Sequence, residues 1–226
     1  MAAGVRLRVW GDFALFSRPE FKAERVTYDV MTPSAARGIL DCIHWKPAIR
    51  WVIDRIHVLK PIRHDTVRRN EVGKRLPYAM ARQMTQRGEA DMVLFVDEER
   101  EQRASLLLRD VSYVIDAHFE LTPEAGPTEN SGKHADMAQR RITRGQCVQQ
   151  PCFGCREFPA FFEPVPPEAR FDPPPELVGR RDLGWILHDI DFAQNATPHF
   201  FHAQLVDAVL TVPPLPFDAR GFGSQE

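Results

Sequence analysis

Apolar and polar residues alternate with a period of two through Val5-Arg6-Leu7-Arg8-Val9-Trp10, which predicts a first strand over 5–16 with a bend at Gly11-Asp12. A helix is predicted over 33–45, with Thr32 as N-cap, Pro33 in the first helical position and Pro47 as the stop. Ile39, Leu40 and Ile43 form its apolar stripe. Residues 49–62 read as strand, and the polar run that follows has no clear period and reads as a long excursion. The β-branched, alternating segment 105–121 predicts a third strand. A second helix is expected at about 133–145, where Ala135, Ala138 and Ile142 share a face, and then a strand with irregular turns over 149–165.

That order, β-α-β-β-α-β, is the α+β, ferredoxin-like split arrangement. Beyond it, residues 164–175 hold six prolines in twelve positions, and 182–192 and 201–212 read as two more strands of a small antiparallel extension. The expected organisation is therefore a domain over 1–163 with a basic insertion at about 63–103, followed by a proline-rich connector and β extension over 164–226.

Composition narrows the class. With 226 residues, 43% of them hydrophobic and 27% charged, the chain is long enough to bury a core and is not a disordered polymer. No stretch is long and apolar enough to predict a membrane span, and the amino terminus lacks a secretory core, so a cytoplasmic protein is expected. The formal charge of −2 conceals a division: residues 46–87 carry eleven Lys/Arg against three acids, whereas 157–226 carry four Arg against eleven acids. The first block suits a polyanion, or equally a solvated surface balanced by the acidic tail.

Motifs for phosphate-binding loops, dinucleotide folds, serine hydrolases and zinc proteases are absent from the sequence. Cys147, Cys152 and Cys155 give a C-x4-C-x2-C string without a second half-site, so ordinary thiols are favoured over a metal centre. His188-Asp189-Ile190-Asp191 reads as a solvated strand end rather than a ligand set. Two positions are chemically sharper. Ser131-Gly132-Lys133-His134 opens the second helix, where free N–H groups and the helix dipole favour an anion, and Lys133 and His134 add charge and a titratable group. His44 falls in the last turn of the first helix, where the dipole stabilises an imidazolium. On local evidence alone, an exposed polar helix start and an ordinary helix cap are the favoured readings of these two positions.

Longer strings decide between these readings. Gly11-Asp12-Phe13-Ala14-Leu15-Phe16, Tyr28-Asp29-Val30-Met31-Thr32-Pro33-Ser34-Ala35-Ala36-Arg37-Gly38-Ile39-Leu40 and His44-Trp45-Lys46-Pro47 resemble the type I-C CRISPR-associated Cas-five family. Val58-Leu59-Lys60-Pro61-Ile62, Arg69-Asn70-Glu71, Gly132-Lys133-His134 and Gly154-Cys155-Arg156-Glu157-Phe158 follow in the family's order. The resemblance covers most of 5–165 and thins over the carboxyl-terminal part.

The resemblance implies a ferredoxin-like domain with a small β extension. It also implies an endoribonuclease that cuts CRISPR repeat RNA without a metal or other cofactor and then stays with the guide RNA among the subunits of the type I-C Cascade complex. The family's catalytic lysine and histidine fall on Lys133 and His134. Its tyrosine before Trp-Lys-Pro is replaced here by His44, which leaves the identity of the base open. The expected reaction is attack by the RNA 2′-OH, with His44 and His134 as the acid–base pair and Lys133 stabilising the phosphorane. Lys46, Arg63, Arg68, Arg69, Lys74, Arg75 and Arg140 are the expected RNA-binding residues. Trp45 is expected either to stack on a base or to join the core. The competing reading is a non-catalytic Cascade subunit that only binds the 5′ end of the guide.

Overall fold

The computed structural model describes residues 4–21, 24–73, 78–87, 95, 97–192 and 194–215. In chain order the elements are β1 (Gly4–Ala14), β2 (Arg25–Val26), α1 (Pro33–Ile43), β3 (Ile49–Val58), β4 (His64–Val72), α2 (Tyr78–Arg87), β5 (Arg100–Leu121), α3 (Ser131–Thr143), β6 (Phe161–Pro164), β7 (Arg180–Asp191), β8 (Thr197–Val206) and β9 (Val209–Thr211). The fold is α+β, a nine-stranded and mostly antiparallel sheet in the order β6-β1-β5-β3-β9-β8-β7, with β2 and β4 also paired to β5. Among the described strand pairs only β2 runs parallel to its partner. None of the described helices is long and apolar enough to cross a membrane.

Strand alternation builds the core. Val5, Leu7 and Val9 of β1 and Tyr113, Ile115, Ala117 and Phe119 of β5 are buried, as are Ala36, Ile39, Leu40 and Ile43 of α1 and Ala138 and Ile142 of α3. Burial of each such Ile or Leu contributes about 1.5–3 kcal/mol. Thr32 caps α1 as expected, accepting the Ala35 N–H at 3.2 Å. The helix nevertheless ends at Ile43, well before Pro47, because His44 is already extended at φ −150° and ψ 108°.

The polar run after residue 62 is not the featureless excursion its composition suggests. His64–Val72 pairs residue by residue with 100–108 of β5, and α2 follows. Thus β3 and β4 lie along one long strand and are separated at Lys60-Pro61, beside Asp110, whose φ of 53° marks the break in β5. Charged side chains on both faces of β4 had hidden its period.

Most of 149–165 is irregular, and only 161–164 is strand. The turn at Gly154 explains why: its φ is +81°, and a Cβ there would stand 2.0 Å from the Leu15 carbonyl oxygen. This close approach seats Phe153 in the core, where its carbonyl accepts the Leu15 N–H at 3.0 Å.

His188, Asp189 and Asp191 are buried, not solvated. Asp189 accepts two hydrogen bonds from Arg37, at 2.7 and 2.8 Å, and His188 Nε2 lies 2.7 Å from the Pro213 carbonyl. Asp189 thereby ties β7 to α1, while Asp191 accepts the Gln194 N–H at 3.2 Å.

Candidate active site

The end of α1 and the start of α3 meet above the sheet. Three groups fix the path of the chain at His44. Its N–H donates to Leu40 O at 2.8 Å, its carbonyl accepts the Trp51 indole N–H at 2.8 Å, and Arg141 caps the preceding Ile43 carbonyl at 2.8 Å. On the other side, Asn130 caps α3 by accepting the Lys133 N–H at 2.9 Å. The two caps bring together residues ninety positions apart.

His44 Nε2 lies 3.2 Å from His134 Nδ1, a hydrogen bond in which either ring donates according to its tautomer. On the far side of the ring, His134 Nε2 stands 2.8 Å from Glu129 Oε2. The other carboxylate oxygen of Glu129 accepts from Lys133 Nζ at 3.0 Å. A continuous line therefore runs from His44 through His134 and Glu129 to Lys133. Phe119 packs edge-on against His134, with centroids 6.2 Å apart.

Both imidazoles are fully buried, whereas the side chains of Glu129 and Lys133 are 26% and 45% exposed. His44 Nδ1 has no hydrogen-bond partner among the described protein groups. Burial, together with the charges of Arg141, His134 and Lys46, pushes the pKa of His44 down to about 4. The stabilised imidazolium expected at a helix end is thus not found: His44 lies just beyond the helix, buried among positive charges, and is neutral near pH 7. Lys133 hydrogen-bonds Glu129 and holds its carboxyl below the usual range.

All three expected catalytic residues converge. The expected RNA contacts do not share one environment. Lys46, Arg63, Arg68 and Arg140 are exposed. Arg69, one position along β4 from Arg68, points to the other face, where it pairs with Glu157 and donates to Ser105 at 3.3 Å. Lys74 and Arg75 lie outside the described residues. Trp45 is 48% exposed beside the cluster, so it does not belong to the core.

Sequence reasoning missed Glu129 and Arg141. A Glu four residues before Lys133 was a legible signal for the first. Nothing in the sequence pointed to the contact of Arg141 with Ile43. The four cysteines are free thiols, and among the described residues no group of three or more His, Cys, Asp or Glu side chains is placed to hold a metal ion.

The family model Cas_Cas5d, described as CRISPR-associated protein (Cas_Cas5), matches residues 4–213 of the chain. The CRISPR pre-crRNA endoribonuclease Cas5d of Mannheimia succiniciproducens is 53% identical over 220 residues, covering 95% of this chain and 96% of the relative. The protein of the same name from Thermus thermophilus is 38% identical over 230 residues, covering 93% of this chain and 92% of the relative. A crystal structure of a CRISPR-associated protein superposes with a TM-score of 0.67 at 20% identity, covering 92% of this chain and 90% of that one, which establishes a shared fold.

Proposed function

Because the chain belongs to the Cas5d family of CRISPR-associated proteins, we propose that it cleaves CRISPR precursor RNA and then remains with the product among the subunits of a Cascade complex in the cytoplasm. The reaction class rests on the 53% identity to a pre-crRNA endoribonuclease. The observation that carries the site is the meeting of His44, His134 and Lys133 across ninety residues of sequence.

The chemistry we assign is metal-independent transesterification. The 2′-oxygen bonds to the adjacent phosphorus and gives up its proton, and the P–O5′ bond breaks. The departing 5′-oxygen takes a proton, leaving a 2′,3′-cyclic phosphate and a 5′-hydroxyl. Lys133, the most exposed cation of the cluster, stabilises the charge on the phosphorane. His134 is the proton-handling group, because its Nε2 lies on the side where Glu129 and Lys133 reach solvent. His44 touches only His134 within the cluster and is neutral at working pH, so it acts through that ring, as a hydrogen-bond partner that sets its tautomer.

Around this site we read β1-α1-β3-β5-α3-β6 as a ferredoxin-like unit, supported by the sheet order β6-β1-β5-β3 with antiparallel neighbours throughout. Residues 1–163 handle RNA, the basic arm over 63–103 extends its reach, and 164–226 form the β extension. RNA contacts are assigned to Lys46, Arg63, Arg68 and Arg140, and, from their charge in the sequence, to Lys74 and Arg75.

The test uses repeat RNA with a chelator present. Cleavage is expected to proceed, and a single 2′-deoxy substitution just 5′ of the scissile phosphate to abolish it while binding persists. Lys133→Ala and His134→Ala are each expected to lower the rate about 10²–10⁴-fold with little loss of affinity. Cutting of the deoxy substrate would reject transesterification, and binding without any cleavage would favour the purely structural subunit.

A further inference from the structure

His134 is inaccessible as it stands. Its Nδ1 faces inward to His44, and its Nε2 faces Glu129. A substrate atom can reach Nε2 only by taking the position of the Glu129 carboxylate. We propose that this position is the binding site of the scissile phosphodiester, and that Glu129 is an internal stand-in for it that withdraws when RNA arrives. The inference rests on the function proposed above and adds the place where the phosphate docks.

The geometry supports an exchange of one anion for another. The two oxygens of Glu129 divide between two partners, Oε1 to Lys133 Nζ at 3.0 Å and Oε2 to His134 Nε2 at 2.8 Å. A phosphodiester presents the same divided pair of acceptors, a non-bridging oxygen for Lys133 and the departing 5′-oxygen for His134. The carboxylate also fills the gap between the buried ring and the half-exposed lysine, so two anions cannot occupy it together. Lys133 keeps Glu129 ionised, so the conflict is relieved by displacement rather than by protonation.

Glu129 is placed to move. It precedes the cap Asn130, and α3 is held by the Asn130 side chain and not by Glu129. Its side chain is partly exposed, and the preceding run Thr122–Glu129 is a series of turns without strand or helix. Rotation outward separates Glu129 from Lys133 and His134 and leaves the helix intact. RNA binding must therefore overcome both of these interactions.

The experiment compares the full chain with Glu129→Gln and Glu129→Ala. Affinity is measured with 2′-deoxy repeat RNA, single-turnover cleavage with the all-ribose RNA, and anion competition with inorganic phosphate. Removing the internal anion is expected to tighten RNA binding about tenfold and to raise kcat/KM through KM. Inorganic phosphate is expected to compete at lower concentration in both variants than in the wild type. A fall in kcat at unchanged affinity, rescued by Glu129→Asp, would overturn the proposal and make Glu129 a positioning residue for His134. Unchanged affinity with unchanged phosphate competition would overturn it as well. Failure of the underlying reading is seen separately: Lys133→Ala would then cleave like the wild type, whatever the Glu129 variants do. If Glu129→Ala does not fold, the isosteric Gln variant carries the test.

Discussion

Helix α1 carries one buried polar cluster midway along its length and another just beyond its end, and the two are built differently. At Arg37 the guanidinium bonds Asp189 in bidentate fashion at 2.7 and 2.8 Å and Asp41 at 3.0 Å. Asp189 also accepts the Ile190 N–H at 2.8 Å. That cluster ties α1 to β7 with opposed charges and leaves its carboxylates engaged. At His44 the pattern is open: one ring nitrogen lacks a hydrogen-bond partner among the described residues, the second ring leans on a partly exposed carboxylate, and a lysine lies at the edge. A saturated buried network fixes structure, whereas an unsaturated one at a rim is equipped to accept a ligand.

The sharpest separation comes from paired variants. Arg37→Leu leaves Asp189 buried without its counter-charge and is expected to cost about 3–5 kcal/mol of stability, read as a lower midpoint in chemical denaturation. Its cleavage rate per folded molecule is expected to stay at the wild-type level. Lys133→Ala is expected to do the reverse, with a large loss of rate and a denaturation midpoint within about 0.5 kcal/mol of wild type. A rate loss in Arg37→Leu at full folding would erase the distinction between the two clusters.

Acid titration separates them again, with a smaller effect. Burial raises the Asp41 pKa to about 6, above its ordinary 3.8. The folded state therefore takes up that proton first, and Asp41 adds stability as pH falls from about 6 toward 4. His44 is shifted the opposite way, to about 4 from 6.5, so the unfolded chain is protonated first and stability is lost as pH falls from 6.5 toward 4. In the wild type the two contributions oppose each other. Asp41→Asn is expected to leave a stability that drops over this window, and His44→Gln one that rises. Denaturation curves between about pH 4.5 and 7 that are parallel for all three proteins would show that neither group titrates as its surroundings dictate.

These clusters also mark the limit of what the sequence makes legible. Elements with a strong apolar period are read well: the start, cap and stripe of α1 fall where Thr32, Pro33, Ile39, Leu40 and Ile43 put them. The same reasoning fails for β4, because both of its faces are polar and its partner, the start of β5, is equally charged. Lys133 and His134 are visible as a dipeptide at a helix start, but their burial and their partners are not. His134 is sealed by Glu129 from the loop before it and by His44 from just beyond the end of α1. The role of Asp189 is hidden for the same reason, since a His-Asp-Ile-Asp string looks solvated until β7 is laid under α1. Local periodicity carries no information about such long-range burial.

The basic arm offers the mildest test and contains a contrast of its own between neighbours. Arg68 and Arg69 are adjacent on β4, so their side chains leave opposite faces of the strand. Arg68 is exposed, as is Arg63 before the strand. Arg69 instead meets Glu157, in the same loop that Gly154 seats against Leu15, and its charge is already compensated. If the exposed pair meets RNA phosphates, neutralising Arg63 and Arg68 reduces the slope of log affinity against log salt by about 0.7–0.9 for each phosphate no longer neutralised. Neutralising Arg69 should leave that slope at its wild-type value and cost at most about 1 kcal/mol of stability, because its carboxylate partner is 59% exposed. Equal salt slopes for the two substitutions would show that composition alone, and not the alternation of the strand, governs how this arm meets its polyanion.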